Sequence, residues 1–505
     1  MPQTLYDTIT ALAKRRGLYY PSFEIYGGQS GFVTYGDPGT KLKRNIETQW
    51  RTHFTNRQNI LEIEAPLINP AKVFEASGHI DNFKEHSTTC TQCNRSYRAD
   101  HLIEEKTGLE NVEAQGAEAI QSLLREHKIK CPRCGGPLQD PTLILTMFQT
   151  EIGAVNGETA YARPETAQGM FTNFRRAYLH AREKLPFAIA QKGKVLRNEI
   201  SPRRGMTRLR EFTIIEMELF FDPENPDCPY MDEVADQPVK LITEKMLEEG
   251  NTEPIETTIH QALQDNLILT PWQAYFMGVS QRFITSLGVP PEKQRFRAHL
   301  PDERAHYSAQ TYDHEALLEW GWLEVAGHAY RTDYDLKAHA EAQEPTVLRQ
   351  DGTRYVPHVV EPSFGLDRLF YVTLENAYER RGKRNILRIP RSLAPTQIQV
   401  NPLVTRDGLT GKAREIHAAL QEAGYTTQYD ESGSIGRRYA RADEIGTPLS
   451  ITIDYDTQDD QAVTIRDRDT WTQVRTPIQE LPDKLQGYFS GRLEILDLGE
   501  KIERD

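Results

Sequence analysis

The sequence predicts an α/β protein in two parts: an α+β unit built on an antiparallel sheet flanked by helices, then a smaller α/β unit at the C-terminal end. Three observations carry this. Between Leu196 and Phe221 a basic loop with Arg203, Arg204, Arg208 and Arg210 separates two strand-like runs. The second run alternates, with Phe212, Ile214, Glu216, Glu218 and Phe220 on one parity and Thr213, Ile215, Met217, Leu219 and Phe221 on the other. Regular strands resume at WLEVAGHAYRTDYDL and YVPHVVEPSFG, and the latter runs into a helix. Beyond residue 391 strands alternate with helices, which implies a separate small domain with a largely parallel sheet.

The alternating run sets the expectations for a site. Its apolar parity should pack on helices, while the other parity puts a ring and two carboxylates on an accessible sheet surface. With Arg197 and Arg208 nearby, that face offers cations for phosphates, a ring for a base and carboxylates for an ammonium. A solvated charged face accounts for the same residues equally well.

Taken in order, residues 4 to 16 form an amphipathic helix that stops at Gly17. The segment IYGGQSGFVTYGDPG lacks the strand, glycine loop, helix order and the lysine of a phosphate loop, so its glycines serve turns. Leu42, Ile46, Trp50 and Phe54 make one buried stripe on a helix from Thr40 to about residue 58. A strand follows in ILEIEAPLI, where the late Pro66 suits an edge or a boundary.

The spacing CTQC, 37 residues, CPRC brings two knuckles of paired thiolates, which together complete a tetrahedral zinc shell with no open position. Zinc at Cys90, Cys93, Cys131 and Cys134 is therefore expected to be structural, against the alternative of four buried free thiols. Five cysteines in a long chain are no disulfide framework, and Cys228 is left over.

After a strand at TLILTMF comes a loop and a helix with Met170, Phe171, Phe174 and Tyr178 on its apolar side. Glu165 opens that element, either as a carboxylate favoured by the helix dipole or as a working group. Residues 222 to 320 are expected to be a helical insertion. On the later strand Val359, Glu361 and Ser363 share a face, and Gly365 permits close backbone approach. Arg368 sits in the first turn of the following helix, where the dipole disfavours a cation. It is either a surface arginine or the mark of an anion partner. Residues 380 to 391 read as an arginine-rich linker. The tail then reads strand at TQIQVNPLV, helix 409 to 423, strand YTTQYD, helix 436 to 445, strand LSITIDY, hairpin DTQDDQAVTIRDRD and a last helix.

At 505 residues the chain has room for about two to four domains. A net charge of −13 argues against holding nucleic acid by bulk electrostatics and leaves local basic surfaces possible. No apolar run is long enough to cross a bilayer and no h-region opens the chain, so no membrane partner is expected and the localisation expected is cytoplasmic.

Several segments occur in a recognisable order: FEIYGG, SGH at 77 to 79, YRADHL at 97 to 102, MFQT, RPETAQG at 163 to 169, LRNEISPR, FTIIEMELF, RTDYDL at 331 to 336, EPSFGLDR at 361 to 368, IGRRYARADEIGTP and VTIRDRDT. In this set the chain resembles the glycyl-tRNA synthetases, class II aminoacyl-tRNA synthetases with an HGTP-type C-terminal domain. The resemblance implies ATP-dependent attachment of glycine to tRNA(Gly) through glycyl-adenylate. It also implies Mg²⁺ with the ATP, structural Zn²⁺, and a homodimer joined partly through the helix and strand that end at Pro66. The domains implied are a catalytic one at 1–392, with a zinc-binding insertion at 85–140 and the 222–320 insertion, and an anticodon-binding one at 393–505.

Carried over residue by residue, the resemblance implies that Arg197 holds the α-phosphate, Phe212 stacks on adenine and Glu199 helps read the base. Arg368 takes the γ-phosphate and Glu324 helps place Mg²⁺, while Asn198, Thr207, Arg208, Val325 and Gly365 complete the ATP site. The glycine positions implied are Arg98, Glu165, Glu216, Glu361 and Ser363, bordered by Phe212 and Gly365. One departure is His328, which stands where the family has an apolar residue and is expected to pack. A non-catalytic relative on the same scaffold would not need the phosphate arginines or the ammonium-binding carboxylates. RPETAQG and EPSFGLDR disfavour a synthetase for proline, threonine, serine or histidine.

Overall fold

The computed structural model describes residues 4–56, 59–109, 112, 116–202, 205–349 and 351–503. Arg203 and Arg204 of the basic loop lie outside them. A nine-stranded sheet forms the main body, in the order Ile255–Thr258, Pro238–Ile242, Gln294–Ala298, Gln310–Leu318, Gly321–Thr332, His358–Gly365, Glu211–Phe221, Phe187–Leu196 and Ile60–Glu62. Its central pairs are antiparallel, and parallel pairing occurs at Ile60–Glu62 and between Pro238–Ile242 and Gln294–Ala298.

The apolar parity behaves as its pattern dictates. Ile215, Met217, Leu219 and Phe221 are buried in one core with Leu42, Ile46, Trp50 and Phe54 of helix Asp37–Phe54 and with Leu366, Leu369 and Phe370 of helix Leu366–Ala377. The other parity departs from expectation, because it is not an open surface along its length. Phe220 is buried in a second core with Ile189, Phe171 and Phe174, and Glu216 and Glu218 are buried as well. The helices Ala167–Phe171 and Phe174–His180 close that end, so only the stretch near Phe212 stays accessible. This closure turns a charged sheet face into the floor of a pocket.

Other elements also differ from the sequence reading. The expected strand in ILEIEAPLI is only Ile60–Glu62: after Ile63, whose N–H still donates to the Ala190 carbonyl, the Ala65 and Pro66 carbonyls accept from Arg163, and a second short strand, Ile68–Pro70, joins another sheet. TLILTMF divides into Thr142–Leu145 and Phe148–Ile152. Residues 222–320 are not a helical insertion: they supply four strands of the main sheet alongside helices such as Pro271–Ser286. Three of these strands have only four or five residues and show little period; the fourth, Gln310–Leu318, alternates with Tyr312, His314, Ala316 and Leu318 buried, and that signal was overlooked. The 380–391 segment is a hairpin, Tyr378–Arg381 with Arg384–Leu387, instead of a linker.

The C-terminal part has its own core around Ile398, Val400, Leu449, Ile451, Ile465 and Leu485. Its sheet is mixed, contrary to the largely parallel expectation. Ile398–Pro402 pairs in parallel with Thr427–Tyr429 and Leu449–Ile453, and the next three pairings are antiparallel. DTQDD forms a helical turn, Asp456–Asp460, rather than half of a hairpin. No helix among the described residues is long and apolar enough to cross a membrane.

Candidate active site and metal cluster

One cavity of about 370 Å³ opens on the sheet face that carries Phe212 and Glu216. Glu165, Arg197, Glu199, Thr207, Arg208, Phe212, Glu216, Glu324, Glu361, Ser363, Gly365 and Arg368 all line it. Four separate segments are needed, and the antiparallel register brings two of them into contact: Glu216 lies opposite Ser363, whose Oγ donates to Glu216 Oε1 at 2.7 Å.

The carboxylate end is built from bonds that hold each group in place. Glu216 Oε2 accepts from the Thr166 N–H at 2.6 Å and from Thr166 Oγ1 at 2.5 Å. Glu361 Oε2 accepts from Arg331 Nη1 at 2.9 Å, and Arg331 also donates through Nε and Nη2 to the two oxygens of Asp335, each at 2.8 Å. Glu165 Oε1 sits 3.2 Å from His79 Nε2 and accepts from Gln168 Nε2 at 3.3 Å. The Tyr307 ring lies 3.7 Å from the Arg331 guanidinium and lines the cavity.

These surroundings separate the carboxyls electrostatically. Burial and the charge of Glu165 push Glu216 up. Burial raises Glu361 to about 7 even though Arg331 pulls the other way. Burial acts on Glu165 too, but His79 and Arg331 outweigh it and hold that carboxyl well below the usual range.

The other end carries three arginines, two of them paired with carboxylates. The Arg197 guanidinium lies over Phe212 at 5.5 Å and over Phe83 at 5.4 Å, and its Nε donates to the Pro164 carbonyl at 3.2 Å. Arg208 Nε donates to Glu199 Oε2 at 2.6 Å. Arg368 is held within the protein: Nη1 donates to Glu324 Oε2 at 2.8 Å, while Nε donates to the Thr207 carbonyl at 3.1 Å. Asp313, which also lines the cavity, stands 2.9 Å from His299 Nε2, and burial with the Glu324 charge raises its carboxyl to about 6.

Three expected residues stand apart. Arg98 lines a neighbouring cleft that shares Arg197 and Arg208, and it is tied to Glu85 at 2.7 Å and to Asp100. The side chain of Val325 is buried in the core; the register shifts opposite His314 and Glu315, so Glu324 before it and Gly327 after it face the cavity while Val325 does not. Asn198 is exposed, and its N–H donates to the Thr146 carbonyl at 2.7 Å. The residues missed were Arg331, Asp335, Thr166, Tyr307 and Gly327. RTDYDL carried a signal, since an arginine and an aspartate four apart across a strand end suggest a pair, but no role follows from the spacing alone.

The four cysteines converge. The sulfurs of Cys90, Cys93, Cys131 and Cys134 lie within 4.8 Å of one another, with 3.5 Å between Cys90 and Cys134 and 3.6 Å between Cys93 and Cys131. Disulfides require about 2.05 Å, whereas four sulfurs at 2.3 Å from a central zinc stand about 3.8 Å apart. Backbone N–H groups of Cys93 and Gln92 lower the Cys90 thiol, and Tyr97 Oη lies 3.3 Å from Cys131 Sγ. The donor set and spacing fit Zn²⁺.

Comparison with known proteins agrees with this architecture. Residues 148–377 match the model of the tRNA synthetase class II core domain (G, H, P, S and T), and residues 397–488 match that of an anticodon binding domain. The chain is 40% identical to the glycine--tRNA ligase of Aeropyrum pernix, with all of both chains covered. It is 40% identical to that of Pyrococcus furiosus and 41% to that of Thermococcus gammatolerans, each over 96% of this chain and 99% of the relative. Matched from end to end and across both domains, the chain belongs to the glycine--tRNA ligase family of class II aminoacyl-tRNA synthetases.

Proposed function

We propose that this chain activates glycine with ATP in the cavity between Arg197 and Arg331 and passes it to the terminal ribose of tRNA(Gly). The observation that carries the residue assignment is that one cavity gathers Glu165, Glu216 and Glu361 at one end and, at the other, Phe212 with Arg197, Arg208 and Arg368, the last two paired with Glu199 and Glu324. Glycine has only an ammonium, a carboxylate and two hydrogens to recognise, so selectivity must come from charge and from excluding bulk. Glu216 and Glu361, each fixed by bonds from the protein, receive the ammonium, with Ser363 and Glu165 setting their geometry.

ATP lies toward Phe212, whose ring stacks on adenine, with Glu199 and Arg208 beside it. The glycine carboxylate attacks the α-phosphorus in line, and pyrophosphate leaves. No side-chain nucleophile is required, so the protein contributes positioning and charge stabilisation through Arg197 and Arg368. Glu324, half-exposed at the rim, offers the hard oxygen donor suited to Mg²⁺, which would neutralise phosphate charge when bound. Zn²⁺ on the four cysteines would hold the 85–140 module together.

The same reading assigns residues 1–392 to catalysis and 393–505 to the anticodon, which is supported by separate cores, the first ending with Leu393 and the second beginning at Ile398. A homodimer through Asp37–Phe54 and Ile60–Glu62 is supported by the position of that strand, at the edge of the main sheet. A cytoplasmic enzyme is in keeping with this work. The deciding measurement is pyrophosphate exchange with ATP and each amino acid in turn. Glycine-dependent exchange well above the alanine and serine backgrounds is the expected result; its absence in folded, zinc-loaded protein overturns the proposal.

A further inference from the structure

Glu218 has no part in the reaction above, yet it lies on the same strand face as Glu216. It is fully buried, and neither of its carboxyl oxygens has a hydrogen-bond partner. The register sets Glu216 opposite Ser363 and Leu219 opposite Val360, which leaves Glu218 facing Glu361 across the same pair of strands. Opposed residues stand about 5 Å apart at Cβ, and two like charges at that distance destabilise the pair.

The charges around Glu218 come from every side. Its own strand contributes Glu216; the facing strand contributes Glu361; the strand beyond contributes Arg331, and the helix after it Asp335. Glu165 and Gln168 come from the segment that packs over the sheet, with His79 and His339 bonded to them. Strand Phe187–Leu196 places Ile189 opposite Glu218. The carboxyls of this cluster outnumber its cations, and Arg331 directs its hydrogen bonds to Asp335 and Glu361. Glu216 is stabilised by Thr166 and Ser363. Glu218 has no such donor, so a negative charge on it is the hardest of the set to maintain. Burial and the Glu361 charge push its carboxyl well above the usual range, in keeping with that geometry.

We propose that Glu218 and Glu361 form a proton-sharing pair beneath the glycine pocket, and that this pair releases its proton to solvent when the glycine ammonium binds. The proposal rests on reading the cavity as the glycine site. The step balances: the ammonium keeps its three N–H bonds, one carboxylic O–H bond breaks, and the proton leaves to bulk water. One positive charge enters as one departs, and the carboxylate left behind faces the ammonium. Glu218 acts through Glu361 and is a positioning residue. Protons and glycine therefore compete, and apparent glycine affinity weakens as pH falls.

Calorimetric titration of the full-length, zinc-loaded protein with glycine at pH 7, in two buffers of different ionisation enthalpy, counts the protons. Release approaching about one proton per glycine is expected, with the glycine KM in pyrophosphate exchange rising up to about tenfold per pH unit on the acid side. In Glu218→Gln, Glu361 no longer faces a second carboxyl. Release should then fall toward zero and the acid limb should move down by about one pH unit. Equal heats in the two buffers for the unaltered protein overturn the proposal, whether or not the variant folds. A variant that binds glycine more weakly by the same factor at every pH, with release unchanged, also overturns it, since that is a packing defect. Glycine exchange without proton release removes the pair alone; no glycine exchange at any pH removes the pocket reading and the pair together.

Discussion

Arg331 reaches Glu361 with a 2.9 Å hydrogen bond from a position wholly shut off from solvent. The pair joins the strand Gly321–Thr332 to the strand His358–Gly365 through their side chains as well as their backbones. It fixes the Glu361 carboxylate without neutralising the cluster around it, because Asp335 takes the rest of the guanidinium.

Glu361→Gln keeps the shape of that side chain and removes its charge. A hydrogen bond to a charged group contributes about 1.5–3 kcal/mol, so glycine-dependent exchange should fall about tenfold to a hundredfold in kcat/KM. ATP binding should change little, since the phosphate end is untouched. Near-normal exchange would take Glu361 out of the pocket.

Gly327 lies opposite Ser363 and Asp313 and lines the cavity, and a Cβ built on it meets nothing within 4 Å. Gly327→Val therefore adds volume to the pocket without a clash, in a strand where a β-branched residue is favoured. Exchange should drop about tenfold or more, with Tm held within about 2 °C. Unchanged KM values for ATP and glycine would mean that neither substrate passes over this strand.

Metal analysis of native protein should find about one zinc per chain. Cys131→Ser should lose it and loosen the 85–140 module, seen as faster proteolysis there, because metal binding and folding of such a module are coupled. Stoichiometry near zero in carefully prepared native protein would refute the site.

His328 packs among Phe296, His314 and Phe364, fully buried, and neither ring nitrogen has a partner. It lies on the core side of its strand, so packing is its role. Burial lowers its pKa to about 3. The unfolded chain binds a proton near pH 6.5 and the folded chain does not, so stability falls as pH drops from about 6.5 toward 3. His328→Leu should raise stability by about 1–3 kcal/mol at neutral pH and by more at pH 5. Denaturant melts at the two pH values check this; an equal effect at both would show that His328 does not titrate on unfolding.

Much of the site was legible because it lies where local patterns are strong. Phe212 and Glu216 sit on an alternating strand, and Glu361 and Ser363 share a parity on another. The cysteine spacing allowed few chemistries other than zinc. Arg331 was harder to see, since nothing in RTDYDL says that its guanidinium turns inward beneath Glu361. Three of the four strands within 222–320 were missed for a related reason: short strands hold their place through neighbours distant in sequence, and their own period is brief, whereas Gln310–Leu318 alternates over nine residues and was legible.

The sequence alone determined the alternating faces, the helix stripe of Leu42, Ile46, Trp50 and Phe54, the thiolate knuckles and the two-part division of the chain, because each depends on residues within a few turns or strand lengths. Only the tertiary structure decided that the carboxylate face is closed and not solvated, that Glu218 opposes Glu361, that Arg98 lies in the next cleft and that the C-terminal sheet is mixed. Strand order and register are set by contacts between segments far apart in the chain, and burial, which decides the charge on a carboxyl, exists only once those segments have met.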